Sequence, residues 1–503
     1  MGNCPLKQVP YLEDVSRCMI STRDMDKVQF INVPQELCSK LVSFLPTFTD
    51  NLSYAANLGG AVEAKASGRM WFADSSEMRA RAAMAKVLEV MLEWGYEPEV
   101  TNLDCARQPD CYNYCAPWVF KRATPKQVPV CFFSLDKKTR VRVVAPREVV
   151  DAIRGYLAPF GVKAERPYHE SVEFKLESRT FNLLMTSDAE FQTMRCFVSG
   201  LYDTLARLGW VFMVSTSLGS SVDTAFFHFD AAAAATAADS PQRVWFSLHS
   251  DDIVRLYGLD EGLETAIRDT IFKHLPVLQA DRRVEAMREL KFEGTPWRPS
   301  KSEAWRSVAT VRDILNVLGS AGYRLIATPR VSTNPSKGRA FLLERAAAQS
   351  PIVAAVFPYS KDKLHVLGGP EIVSIVREVV SSHWPRGVQD ERTGGEGTEF
   401  KLRGTPWETD KQQRMEAYIL LLQVIQKMAN AGYNLRTACE SDLYYRVIHT
   451  DKAHYEAKHM DTLYFSQSGK LAPPAAASVA APDAPAIGYP VVTADVVHDG
   501  HTL

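Results

Sequence analysis

One short signature recurs four times along this chain, and that repetition constrains the fold more than any other feature. Its fullest forms are Glu399-Phe-Lys-Leu-Arg-Gly-Thr-Pro-Trp407 and Leu290-Lys-Phe-Glu-Gly-Thr-Pro-Trp297. Weaker forms are Phe174-Lys-Leu-Glu-Ser-Arg-Thr-Phe181 and Ala64-Lys-Ala-Ser-Gly-Arg-Met-Trp71. The lysines fall at Lys65, Lys175, Lys291 and Lys401, with intervals of 110, 116 and 110 residues. Six positions after each lysine comes an aromatic: Trp71, Phe181, Trp297 and Trp407. A motif kept in register over such distances marks a structural unit of about 110 residues, copied end to end.

Downstream landmarks keep the same register. An amphipathic helix follows each signature and ends in glycine plus an aromatic: Gly95-Tyr96, Gly209-Trp210, Gly322-Tyr323 and Gly432-Tyr433. In the second copy Phe191, Met194, Val198, Leu201, Leu205 and Leu208 form a stripe at the helical period. The glycine suits a left-handed C-cap, where a β-carbon would be strained. Strands follow, for example Thr224 to Phe229, Ala340 to Leu343 and Thr462 to Phe465. An alternating hairpin comes next, with Val244 to Leu248 and Ile253 to Tyr257 flanking His249-Ser-Asp-Asp252. Its counterparts run from Cys18 to Val33, Val130 to Val144 and Val353 to Leu367. A second helix then opens with Pro34, Pro146 or Pro370 in its first turn.

Counted from the lysine, the unit reads β-α-β-β-β-β-α, which places the chain in the α/β (α+β) class with mainly antiparallel sheets. This order is similar to that of the TATA-binding protein repeat. The likeness is of element order alone, with no shared motif, and implies no DNA binding. Counted from the hairpin, the chain divides into an N-terminal segment at 1–16 and repeats at 17–124, 125–238, 239–348 and 349–469. The Ala/Pro-rich composition of the tail at 470–503 predicts a disordered segment that cannot bury a core. The alanine run at 231–235 reads as a loop insertion. Two arrangements stay open. In one, four self-contained units form an open row. In the other, the hairpin-and-helix at 17–46 pairs with 399–466 and closes the array. Closure is the expectation, because the apolar strand from Thr462 to Phe465 would template aggregation if left unpaired.

At 503 residues the chain needs several cores. Its 58 basic and 59 acidic residues leave a formal charge of -1, which argues against a chain-wide nucleic-acid surface. No apolar run reaches the length of a membrane span. The first twenty residues carry Glu13, Asp14 and Arg17 where a secretory signal needs an apolar stretch. Nine scattered cysteines suit free thiols in a reducing cytosol.

Candidate functional residues are few. Met1-Gly2-Asn3-Cys4 offers Gly2 for myristoylation and Cys4 for palmitoylation, although Leu6 stands where the acylation motif prefers Ser or Thr. Two acyl chains would give a stable peripheral membrane contact, since one alone binds marginally. The lysine–aromatic signature reads first as the packing core of the unit. Its functional alternative is a cation–π or anion site repeated four times. Cys105, Cys111 and Cys115 do not follow zinc-ligand spacing, and His449, His454 and His459 with Glu456 do not share a helical face, so neither cluster predicts a metal. Gly394-Gly-Glu-Gly397 precedes a strand rather than a helix, which argues against a phosphate loop. Catalytic signatures and cofactor motifs are absent. The resulting expectation is a non-enzymatic cytoplasmic scaffold that binds a protein or lipid partner without cofactor. The alternative is an enzyme, or a small-molecule or lipid carrier, with a pocket between repeats.

Overall fold

The computed structural model describes residues 14–468, except 15, 24–25, 46–51, 56–60, 67–76, 101–102, 104–116, 137–138, 178–187, 217–222, 237–241, 298–303, 330–338, 395–396, 408–410 and 441–460. Unit 1 runs β1 (Arg17–Arg23), β2 (Lys27–Ile31), α1 (Gln35–Phe44), β3 (Leu52–Ala55), β4 (Ala61–Ala66), α2 (Glu77–Glu93), β5 (Tyr96–Val100) and β6 (Trp118–Arg122). Unit 2 repeats this with β7 (Val130–Asp136), β8 (Arg140–Val144), α3 (Arg147–Leu157), β9 (Val162–Tyr168), β10 (Ser171–Leu176), α4 (Asp188–Ala206), β11 (Trp210–Thr216) and β12 (Thr224–Phe229). A short linker helix, α5 (Ala231–Thr236), leads on to unit 3. That unit holds β13 (Arg243–His249), β14 (Ile253–Tyr257), α6 (Glu261–Ile271), β15 (Leu278–Val284), β16 (Met287–Phe292), α7 (Ala304–Ser320), β17 (Tyr323–Ala327) and β18 (Arg339–Arg345). Unit 4 comprises β19 (Ile352–Tyr359), β20 (Lys363–Leu367), α8 (Pro370–His383), β21 (Val388–Gly394), β22 (Gly397–Leu402), α9 (Lys411–Asn430), β23 (Tyr433–Glu440) and β24 (Asp461–Gln467).

Each unit is one six-stranded antiparallel sheet backed by two helices, with the first in the order β3-β4-β2-β1-β6-β5 and the others equivalent. The unit is therefore β-β-α-β-β-α-β-β, one strand richer than the sequence pattern implies. The extra strand is β3, β9, β15 or β21, at the outer edge beside the lysine strand. In units 2 to 4 it is mostly exposed and reads Val-Lys-Ala-Glu-Arg-Pro-Tyr, Leu-Gln-Ala-Asp-Arg-Arg-Val and Val-Gln-Asp-Glu-Arg-Thr-Gly. Such strands lack an apolar alternation, and their charges protect a free edge from pairing with another chain. The alanine run is also a correction, since it is helical in α5 rather than a loop. Gly394 at the end of β21 pairs with Gly397 at the start of the antiparallel strand β22.

Helix ends follow the sequence reading. Gly95, Gly209, Gly322 and Gly432 all have positive φ, from 73° to 85°. Each closes a long helix and turns the chain into the next strand.

The strand from Thr462 to Phe465 does not pair with the N-terminal hairpin. It lies inside the fourth sheet, between β19 and β23 of its own unit, and β1 pairs with β2 and β6. The ends meet by a different contact, helix on sheet. Alternate residues of the inner strands point to opposite faces. In β13, Val244, Phe246 and Leu248 join the core of unit 3, while Trp245 enters the core of unit 2. In β7, Phe133 and Leu135 face inward, and Phe132 enters the core of unit 1. Ala355 and Phe357 of β19 likewise enter the core of unit 3. Met19 of β1, with Ile31, Ala61 and Val119, enters the core of unit 4. Gln426 Nε2 on α9 donates to the Asp14 carbonyl at 2.9 Å and helps fasten this last joint. Each long helix is thus covered by its own sheet and by the next one, and the four units close into a ring. Strands β5, β11, β17 and β23 meet at its centre around a small cavity of about 110 Å³. Both faces of the inner strands are buried, which explains why they carry apolar residues toward two cores.

Candidate functional site at the seams

The face that each sheet turns toward the preceding unit carries a buried polar layer. Its centre is a glutamate two residues before each signature lysine: Glu63, Glu173, Glu289 and Glu399. Glu63 is 6% exposed, and Glu173 and Glu289 are 1% exposed. Because strand residues alternate, the intervening Ala64, Phe174, Leu290 or Phe400 fills the unit's own core while the glutamate faces the seam. This Glu-x-Lys spacing was the signal in the sequence for the layer, and the lysine–aromatic pattern obscured it.

Each glutamate is met by the cross-strand residue of the hairpin. Gln29 Nε2 donates to Glu63 at 2.7 Å, Arg142 Nε to Glu173 at 2.9 Å, Arg255 Nε to Glu289 at 2.8 Å, and His365 Nε2 lies 3.0 Å from Glu399. Arg166 and Arg282, from the exposed edge strands, reach the same carboxylates in units 2 and 3. A buried carboxylate without such partners would be strongly unfavourable.

What the preceding helix brings differs from seam to seam. Between units 1 and 2, Arg81 of α2 is wholly buried. It donates to both Asp136 carboxylate oxygens at 3.0 Å and to Ser134 Oγ at 2.8 Å. Burial alone would raise the Asp136 pKa, yet the Arg81 and Arg142 guanidiniums hold it below its ordinary value. Between units 2 and 3, Arg195 of α4 donates to Ser247 Oγ at 2.7 Å. Burial and the charge of Arg255 push its pKa down to about 10. Between units 3 and 4 the layer is aromatic. The His365 ring stacks on Trp305 of α7 at 4.4 Å, with Tyr359 at 4.9 Å on β19. Burial lowers the His365 pKa, and the hydrogen bond from His365 holds Glu399 at about 2.

The signature residues sit beside this layer. Lys65, Lys175, Lys291 and Lys401 occupy equivalent positions on β4, β10, β16 and β22, opposite Lys27, Arg140, Ile253 and Lys363. Lys65 and Lys291 reach Asp26 and Asp252 in the hairpin turns at 3.6 and 3.8 Å. Trp297 and Trp407 are fully buried, and their indole N–H groups donate to the Ile253 and Lys363 carbonyls at 3.0 and 2.7 Å. The tryptophan therefore pins the signature turn to the hairpin. Trp71, Phe181, Gly2, Cys4, Cys105, Cys111, Cys115, His449, His454, Glu456 and His459 lie outside the described residues. Cys131 is buried in β7, and burial pushes its thiol well above the ordinary range. Among the described residues, no group of three or more His, Cys, Asp or Glu is placed to hold a metal ion.

Near the axis a cleft of about 220 Å³ opens between units 1, 3 and 4, lined by Glu99, Lys121, Asn316, Arg324 and Arg436 among others. Glu99 is held by a bidentate pair with Arg17 at 2.7 and 2.9 Å. Arg436 donates to the Gln349 side chain, and burial together with Arg324 lowers its pKa.

No curated protein and no solved structure matches the chain. The model of one domain family matches it four times, at residues 16–121, 129–230, 243–343 and 353–466. These stretches are the four sheet-and-helix units, and the chain belongs to that family as a tandem array of four of its domains.

Proposed function

We propose that this protein is a non-enzymatic binding ring, a scaffold that holds a polar ligand or partner at its seams and axial cleft. The observation that carries this reading is the double covering of the inner strands of the sheets. With both faces buried, Val277 is the one large hydrophobic side chain exposed among the described residues. Recognition then falls to charged and polar groups in the concave places between units. The carrier alternative is less well supported, because the axial cleft is smaller than the roughly 300–1,000 Å³ of ordinary ligand pockets and is lined by charged groups.

No helix among the described residues is long and apolar enough to cross a membrane. Acyl chains on Gly2 and Cys4 would attach the ring to the cytoplasmic face of a membrane, with two chains giving the stability that one lacks. Native mass spectrometry of the full chain, purified from its own cells, tests both parts of the proposal. Mass above the bare ring that survives gentle transfer supports the binding reading, and a myristoyl increment on Gly2 supports the anchor. A bare mass under these conditions defeats the first, and an acetylated or unmodified Gly2 defeats the second.

A further inference from the structure

Every unit carries the same irregularity at the same place, and the four of them meet at the axis of the ring. Where β5 pairs with β6 the ladder passes from Pro98 to Val100 and skips Glu99. It skips Met213 in β11, Ile326 in β17 and Arg436 in β23 in the same way. These are β-bulges, which bend a strand and re-aim the extra side chain. All four bulge residues are half-buried and line the central cavity of about 110 Å³. The bulge belongs to the fold of the unit, so the residue that occupies it is free to differ. Units 2 and 3 place apolar side chains there, and units 1 and 4 place opposite charges.

The two charges are not equally answered. Glu99 is gripped by Arg17 through two hydrogen bonds, at 2.7 and 2.9 Å. Arg436 donates from Nη2 to Gln349 Oε1 and has no carboxylate partner among the described residues. Glu99 and Arg436 also line the adjoining cleft of about 220 Å³, together with Lys121 and Arg324. Lys121 pairs with Glu97 at 3.1 Å, and Arg324 with Glu344 at 2.5 Å. Arg436 is thus the cation of the cleft that lacks a counter-charge among the described residues, and Arg324 stands close enough to repel it. Two guanidiniums converging on one cleft are relieved by an anion between them, and a carboxylate matches their fork of donors.

We propose that the axis of the ring binds a small aliphatic monocarboxylate, its carboxylate on Arg436 beside Arg324 and its hydrocarbon against Met213 and Ile326. A single negative charge suits a single unanswered guanidinium, whereas the Glu99 carboxylate at the same cavity disfavours a multiply charged phosphate. The volumes at the axis suit a ligand of a few carbons, since each lies below the roughly 300–1,000 Å³ of ordinary ligand pockets.

The inference deepens the binding-ring reading and rests on it, and a titration with one defined probe tests the axis alone. Sodium butyrate is titrated calorimetrically into the dialysed full chain in sodium chloride, and the titration is repeated with sodium phosphate replacing chloride at equal ionic strength. Wild-type protein binds butyrate at one site per chain, and phosphate does not displace it. Arg436→Met weakens that binding by at least about tenfold, the loss of a charge-assisted contact. Lys86→Met, which removes an exposed cation on α2, leaves it unchanged. Ile326→Glu sets a carboxylate in the same cavity as Arg436 and competes with the ligand, so butyrate binding falls there too. That variant decides the matter if Arg436→Met fails to fold. No butyrate binding by wild type, undiminished binding in Ile326→Glu, or displacement by phosphate would each overturn the proposal. Such a failure leaves the mass-spectrometric test unaffected, because mass retained elsewhere on the ring would still support a binding protein.

Discussion

The seam between units 1 and 2 and the seam between units 3 and 4 have the same backbone and opposite chemistry. Both place a long helix over the next sheet, and both keep a glutamate at the centre of the layer, Glu173 in one and Glu399 in the other. Around Glu173 the partners are guanidiniums: Arg142, Arg140 and Arg166, with Arg81 and Asp136 alongside. Around Glu399 they are Lys363 and His365, and the imidazole is enclosed by Trp305, Phe357 and Tyr359. The difference teaches that the ring requires a filled, electrostatically satisfied layer and tolerates more than one way to fill it. An ionic network confers geometric selectivity, and an aromatic stack confers apolar contact area.

The largest expected effect separates the two chemistries. Arg81→Met leaves Asp136 buried without its main partner and should cost about 3–5 kcal/mol in urea unfolding. The double variant Arg81→Met with Asp136→Leu should recover most of that loss, since an apolar pair can replace a buried ion pair. A double variant as unstable as the single one would show that the first seam depends on charge itself.

Somewhat smaller is the loss at the aromatic seam. Trp305→Ala removes the ring stacked on His365 and should cost about 3 kcal/mol, the lower end for a packed tryptophan because this one is only partly buried. An unchanged unfolding midpoint would mean the stack carries no load.

Acid should sharpen the contrast further. Burial depresses the His365 pKa, so below 6.5 the unfolded chain binds that proton more readily, and stability falls as pH drops from there toward the folded-state value. The Glu399 pKa is depressed from 4.5 to about 2, so its contribution is present above 4.5 and is lost as pH falls from 4.5 toward 2. Asp136 and Glu173 are also depressed, and their contributions decline only below the ordinary carboxylate values. Between pH 6.5 and 5, then, Trp305 fluorescence should report loosening of the aromatic seam, and His365→Phe should remove that phase. Equal sensitivity of His365→Phe and wild type in this range would refute the assignment.

The smallest effect belongs to the most visible residues. Lys291→Ala and Lys65→Ala should each change stability by no more than about 0.5 kcal/mol, because both side chains are about half exposed and their ion pairs are long. A cost above about 2 kcal/mol would place the lysine inside the seam's energetics rather than beside it.

Legibility followed the kind of constraint. Helix ends were readable at Gly95, Gly209, Gly322 and Gly432, because a positive φ restricts residue type locally. Hairpins were readable from alternation and turn residues. The edge strands were not, since residues such as those of β9 are selected for charge and exposure. Of the seam layer, Glu-x-Lys was present in all four copies, but its partners Arg81 and Asp136 lie 55 residues apart on different units. Nothing local marks them as neighbours.

By itself the sequence determined the number of units, their length, and the class of sheet and helix within each, because a repeated register records what each copy must bury. The hairpins read as alternating, and the burial of apolar residues on both faces of strands such as Val130 to Leu135, Phe132 toward one core and Phe133 toward another, came only from the structure. Which element provides the second cover was decided only in three dimensions. Apolar burial is non-directional, so Met19 and Ile31 specify that something must cover them without specifying α9. Closure of the ring, and with it the seams, depends on how four similar surfaces fit together around the axis, a property of shape that no single stretch of chain encodes.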